Sequence, residues 1–263
     1  MARDLRSDAP DAQAPEGDLF TAGPARDARY TVKEHWRDCE NYPGDHPLHQ
    51  VEFTHRQMNE EVNGLECSAA CLADFPQADW GLRMWFARQC ADEARHARMF
   101  RARLESMGGH VGQFPVMNFQ YRIICKADSL LGRLTIQNRT FEAGGLDAVA
   151  WVAQQMQEEG NAPLADFFES QLADEILHVR FANEWLRKLI RDDPRQLLDM
   201  SKTLGRAARG FKQVMGNEGT DGVWYPTARD ARVEAGFTED EVKLASELGK
   251  QVASGESGAH PRP

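Results

Sequence analysis

The stretch Gln89-Cys-Ala-Asp-Glu-Ala-Arg-His96 decides the reading of this chain, because Gln171-Leu-Ala-Asp-Glu-Ile-Leu-His178 repeats it. Both copies run on through one residue to an arginine, Arg98 and Arg180. In each copy Glu and His stand three apart, which places them side by side on one helix face, about 5 Å apart. A carboxylate and an imidazole so placed form a chelating pair for a transition metal. One such pair is weak evidence. Two pairs in matching contexts suggest a site built twice.

The faces that carry the pairs point to a core. Steps of three or four through the first copy meet Leu82, Phe86, Gln89, Glu93, His96 and Phe100. The same steps through the second meet Leu164, Phe168, Gln171, Glu175, His178 and Ala182. Glu and His thus lie in the middle of an apolar stripe, where surface ion pairs do not belong. Glu52-Phe-Thr-His55 is a third Glu-x-x-His, but it precedes Glu61 by nine residues, about half a turn out of phase and about 13 Å along the axis. It reads as a surface coincidence.

Each pair has an acid upstream. Glu61-Val-Asn-Gly-Leu-Glu66 precedes the first and Glu142-Ala-Gly-Gly-Leu-Asp147 the second. Glu61 precedes Glu93 by 32 residues and Glu142 precedes Glu175 by 33, so each half is a helix pair of nearly one layout. Glu61 and Glu66 differ by about 140° around a helix, so both cannot face one centre. In a hairpin turning near Pro76, the position level with Glu93 is residue 60 or 61, which favours Glu61 over Glu66.

The remaining signals place these motifs on four long helices. The first runs from near Leu48 to Asp74 and stops before Pro76, since the residue before proline avoids helical geometry. The second follows Asp79 as N-cap and reaches Met107 before Gly108-Gly109. A connection over 110–127 leads to a third helix over 128–158. The fourth starts at Pro163, a favourable first-turn residue, and runs to Ile190. A fifth helix over 194–215, a loop over 216–226 and a short helix opening on the capping box Thr238-Glu-Asp-Glu241 complete the chain. Strand signals are nearly absent. The expected organisation is a disordered tail over 1–28, a helical bundle with additions over 29–215, and a C-terminal loop, short helix and tail over 216–263.

Composition narrows the function. With 41 acids against 31 basic residues the net charge is −10, which argues against nucleic acid as a partner. No apolar run approaches the roughly 20 residues of a membrane span. The N-terminus lacks the apolar centre of a signal peptide, so a cytoplasmic location is expected. Five cysteines (Cys39, Cys67, Cys71, Cys90 and Cys125) without a Cys-x-x-Cys pair fit reduced thiols, with Cys67 and Cys71 read as small buried residues.

Four helices, one Glu from each of two and Glu-x-x-His from each of the other two, resemble the ferritin-like di-iron and di-manganese carboxylate superfamily. The likeness covers roughly residues 48–190. It implies an all-α, ferritin-like four-helix bundle with a long connection between helices 2 and 3 and extra C-terminal helices. It implies that Glu61, Glu93 and His96 serve one metal and Glu142, Glu175 and His178 the other, some carboxylates bridging. It gives Asp92 and Asp174 the duty of holding the histidines by their other ring nitrogen.

Carboxylate-rich sites with one His per metal suit iron or manganese better than copper. The expectation is two iron ions, manganese or a mixed pair being compatible with the same ligands. The resemblance further implies an oxidase or oxygenase that uses O2 to oxidise a small organic substrate, fed by an external electron donor. Ferroxidase or peroxide handling and a di-manganese catalase are the alternatives, and a homodimer is compatible with the exposed faces of such bundles. Arg95, Arg98 and Arg180 read as surface or supporting ion pairs, and Trp85, Phe86, Phe168 and Trp185 as core. Gly144 and Gly145, costing roughly 1 kcal/mol each inside a helix, follow ligand Glu142 and point either to an opening beside the metals or to close helix packing.

Overall fold

The computed structural model describes residues 19–24, 26–216 and 225–253, with side chains to residue 250. The described chain is an all-α helical bundle. A short strand β1 (Val32–Lys33) precedes α1 (His49–Asp74) and α2 (Trp80–Ser106). The connection that follows contains β2 (Val116–Met117), paired in parallel with β1, and a short helix α3 (Phe119–Ile124). The third long helix comprises α4 (Leu130–Ile136), one π-helical turn (Gln137–Glu142) and α5 (Ala143–Glu158), and α6 (Ala162–Asp192) is the fourth. Helices α7 (Gln196–Met215), α8 (Arg229–Glu234) and α9 (Glu239–Ala253) follow.

Local chemistry sets the ends of these helices. Asp79 caps α2 by accepting from the Gly81 N–H at 2.8 Å. Gly108, with φ +81°, supplies the left-handed turn that ends it. The capping box of α9 forms as its spacing implies, the Glu241 carboxylate accepting from the Thr238 N–H at 2.8 Å. The six-residue α8 carries no side-chain cap and has no signal in the sequence.

Two apolar clusters enclose a polar middle. At one end Leu82, Phe86, Leu131, Leu134, Phe181 and Leu186 pack together, Trp85 stacking on Phe181 with ring centroids 5.5 Å apart. At the other end Met58, Phe100 and Leu104 pack with Phe167 and Phe168. Each such side chain, fully buried, contributes about 1.5–3 kcal/mol. Between the clusters lie the residues of the repeated motif. Cys67 and Cys71 are buried in the core, and all five cysteines are unpaired thiols.

The termini add to this frame. Thr21 donates its N–H to the Arg122 carbonyl at 3.1 Å, and Arg26 reaches α1 through Asn63 and Glu66, both at 2.8 Å. This part of the expected tail packs on the bundle; residues 1–18 and 25 lie outside the described residues. So do 217–224 of the expected loop and the final residues 254–263. Among the described residues no helix is long and apolar enough to cross a membrane.

One expectation is overturned. Glu52 and His55 are buried, 4% and 0% exposed, and are no surface pair. The connection 110–117 folds over that face of α1. Gly112 donates its N–H to His55 Nε2 at 2.9 Å, Phe114 packs edge-on to the ring, and Glu52 pairs with Arg56 at 2.9 Å. A covering segment remote in sequence leaves no trace in the local helical periodicity.

Candidate metal centre

All six residues singled out by the repeat meet in the middle of the bundle. Glu61 comes from α1, Glu93 and His96 from α2, Glu142 from the end of the π turn, and Glu175 and His178 from α6. Glu61, Glu93, His96 and Glu175 form one group able to hold a metal ion, and Glu93, Glu142 and His178 form another. Glu66 does not take part. It points out of phase with Glu61, as helix geometry requires, and pairs with Arg26.

The distances define how the carboxylates are shared. His96 Nδ1 lies 3.3 Å from Glu61 Oε2, 3.4 Å from Glu93 Oε2 and 3.5 Å from Glu175 Oε1. His178 Nδ1 lies 3.3 Å from Glu175 Oε2, 3.5 Å from Glu93 Oε1 and 3.9 Å from Glu142 Oε2. Glu93 and Glu175 each turn one oxygen to either histidine. Glu61 faces only His96 and Glu142 only His178. Glu175 thus stands between the two histidines, and it joins the His96 group and not the His178 side alone.

The outer nitrogens of the imidazoles are held across the bundle. His96 Nε2 lies 3.2 Å from Asp174 on α6, and His178 Nε2 lies 3.3 Å from Asp92 on α2. Arg95 bonds Asp174 and stands 3.6 Å from Asp92, so one guanidinium steadies both aspartates. Arg180 pairs with Glu234 at 3.0 Å, outside the centre. With its Nε2 hydrogen given to aspartate, a neutral imidazole at either position would turn its Nδ1 lone pair toward carboxylate oxygens. His96 Nδ1 is buried and has no hydrogen-bond partner among the described residues. A lone pair facing three carboxylate oxygens calls for a cation among them, so the donor set fits a bound metal pair.

Protons fill that role in the metal-free chain. Burial pushes the Glu61 carboxyl up to about 8. Burial and the neighbouring Glu142 push Glu93 up to about 7, and the same two causes raise Glu175 well above the ordinary carboxylate range. Burial opposes a charge on His178, but Asp92, Glu142 and Glu175 outweigh it and hold the imidazolium well above its ordinary value. Two divalent cations would balance the four carboxylates.

Further residues to which the sequence reading gave no role complete the centre. Gln89 donates to Glu93 and Glu142, both at 3.1 Å, while Gln171 donates to Glu61 at 2.9 Å. Asn138 donates to Gln89 Oε1 at 2.9 Å and to the His178 carbonyl at 3.3 Å. Its position follows from the π turn, whose extra residue re-aims side chains and frees a carbonyl. Thr140 answers the freed group by donating its hydroxyl to the Thr135 carbonyl at 2.8 Å. At Gly64 a Cβ would stand 3.0 Å from Glu93 Cδ, close enough to press the Glu93 carboxylate aside by a few tenths of an ångström. The shared Gln of the two motif copies, and Asn-Gly against Gly-Gly after the upstream acids, were the available signals.

Gly144 and Gly145 serve a different end. A Cβ at either would meet nothing within 4 Å, so close helix packing is not their reason. They line a cavity of about 400 Å³ whose inner wall is formed by Glu61, Glu93, Glu142 and Glu175.

Comparison with known proteins adds a family without an activity. A family model described as "Protein of unknown function (DUF455)" matches residues 2–243. An uncharacterized protein of Haemophilus influenzae is 24% identical over 168 residues, which are 64% of this chain and 55% of that protein. The chain therefore spans about half the length of this relative. No solved structure matches.

Proposed function

Since the chain belongs to the DUF455 family, for which no function is described, its role is read from the centre itself, and we propose a ferritin-like di-iron oxidase or oxygenase. It would use O2 and an external electron donor to oxidise a small organic substrate. The observation that carries the reading is the double sharing of Glu93 and Glu175, each within 3.5 Å of both histidine Nδ1 atoms. A pair of cations held by two common carboxylates suits a reaction that draws on both.

Glu61 and His96 would complete one iron site, and Glu142 and His178 the other. The metal pair, when bound, supplies the redox equivalents and the oxygen chemistry. The chain does the rest. Asp92 and Asp174 fix the imidazoles in the tautomer that leaves Nδ1 free. Gln89 and Gln171 orient the terminal carboxylates, apolar clusters pack at both ends of the centre, and one side is open. That open side is the cavity at Gly144 and Gly145, which favours an organic substrate over simple iron or peroxide handling. Hydroxylation would take one oxygen atom into the substrate and release the other as water, two electrons and two protons arriving from outside.

The test is metal analysis of protein loaded anaerobically with iron(II), followed by oxygen uptake. Two irons per chain and stoichiometric oxygen consumption without mineral formation are expected. Iron turnover into a mineral core would move the assignment to a ferroxidase. Failure to bind iron would end it.

A further inference from the structure

The cavity beside the centre is lined by the acids of the centre and by Glu60, and among the described residues Arg56 is its one cation. Arg56 precedes Glu61 by five residues on α1, about 7.5 Å along the helix axis. Its Nε is tied to the buried Glu52 at 2.9 Å, and its guanidinium lies over Trp36 at 5.0 Å and Phe53 at 5.3 Å. Nη1 and Nη2 carry no hydrogen bond among the described residues, so the planar fork is held in place with two donors to spare. The rest of the lining is mixed, with Gln57, Glu60 and Gln120 beside an aromatic cluster. Phe119, Phe141 and Phe211 pack with centroids 5.8–6.3 Å apart and are joined by Met117. At the far end Gly144 and Gly145 leave open space against the carboxylates.

We propose that the substrate is a small amphipathic carboxylate, bound with its carboxylate on Arg56 and its apolar body along Phe119, Phe141 and Phe211. The carbon to be oxidised would then lie at Gly144–Gly145, beside the metal pair. The inference rests on the oxidase reading and names the class of its substrate. An aromatic stretch with one fixed cation selects by a salt link at the head and by burial along the body.

The probe is 3-phenylpropionate, compared with its amide, on the full chain loaded with manganese(II), by calorimetry and by the fluorescence of the tryptophans. Iron content is measured separately, so that loss of the substrate assignment and loss of the metal centre are told apart. The acid should bind at least roughly tenfold more tightly than the amide, as a charged hydrogen-bonded pair implies. Arg56→Gln should remove that preference while metal content stays unchanged, and Gly145→Leu should abolish binding of both. Equal binding of acid and amide by the unaltered chain overturns the proposal and needs no variant to fold. So does an acid preference that survives Arg56→Gln, which would put the carboxylate on the metals, and so does binding of neither compound.

Discussion

Asp92 Oδ2 lies 3.3 Å from His178 Nε2, so the aspartate beside one Glu-x-x-His pair holds the histidine of the other. Asp174 returns the relation to His96 at 3.2 Å. The two halves of the repeat are therefore interdependent, and neither can set its own imidazole. Removing such a partner typically costs 10–100-fold in metal affinity. Asp92→Ala should weaken iron or manganese binding by roughly that factor in a competitive titration, although Asp92 touches no metal. Asp166→Ala, an exposed position on the same helix as His178, should leave affinity unchanged.

The sharing of carboxylates predicts unequal losses. Glu93→Ala or Glu175→Ala removes an oxygen from both groups, and metal content should fall from two ions to below one per chain. Glu61→Ala or Glu142→Ala spares one group and should leave about one ion. In the metal-free chain the sign reverses. Burial pushes Glu93 up to about 7, so its charge at higher pH destabilises the fold, and Glu93→Gln should raise the melting temperature by a few degrees at pH 8. Elemental analysis and calorimetry of the same samples check both claims.

Glycines on the two sides of the centre separate packing from space. Gly64→Ala would set a Cβ 3.0 Å from Glu93 Cδ and should lower metal affinity at least tenfold. Gly144→Ala meets nothing within 4 Å and gains helix propensity, so it should stabilise the chain by up to about 1 kcal/mol with metal content intact. Denaturant titrations beside metal titrations distinguish the two.

Much of this centre could be read before any coordinates, because a helix converts spacing into direction. The three-residue step of Glu93 and His96, repeated at Glu175 and His178, and the phase of Glu61 against Glu66 needed only 100° per residue. What escaped depends on more than one helix. Asp92 serves the far histidine because of how α2 and α6 are rotated against each other. Asn138 enters through a π turn that no propensity announces. His55 is buried because a segment more than fifty residues away lies over it. Gly64 looked like any glycine until Glu93 was placed against it.

That buried His55 has a pH signature. Burial and the nearby His110 lower its pKa to about 4, and Gly112 already occupies its Nε2 as a donor. Between pH 4 and 6.5 the unfolded chain binds a proton that the folded chain refuses, so stability falls as pH is lowered through this window. The full cost, about 3 kcal/mol, is reached below pH 4. His55→Gln keeps an acceptor for Gly112 and removes the proton. Its loss of stability from pH 7 to pH 5 should be smaller than that of the unaltered chain by about 2 kcal/mol, read from denaturant midpoints.

The acids five residues after Glu61 and Glu142 anchor the two ends of the chain. Turned about 140° from the ligand, each faces away from the centre and meets an arginine from a terminal segment. Glu66 takes Arg26 at 2.8 Å, and Asp147 takes Arg232 of α8 at 2.7 Å while accepting from the Ala228 N–H at 3.0 Å. The Asp147 pair is largely buried, with side chains 10% and 12% exposed, so removing one partner leaves a charge stranded at a cost of about 3 kcal/mol or more. Asp147→Ala should therefore release α8 and α9, seen as faster amide exchange over Arg229–Glu234 and new tryptic cleavage at Arg232. Metal content should stay at two, because Asp147 contacts no proposed ligand. A fall in metal content instead would mean that the C-terminal helices brace the centre through Ala143 and Leu146, which pack against Phe237 and Val242.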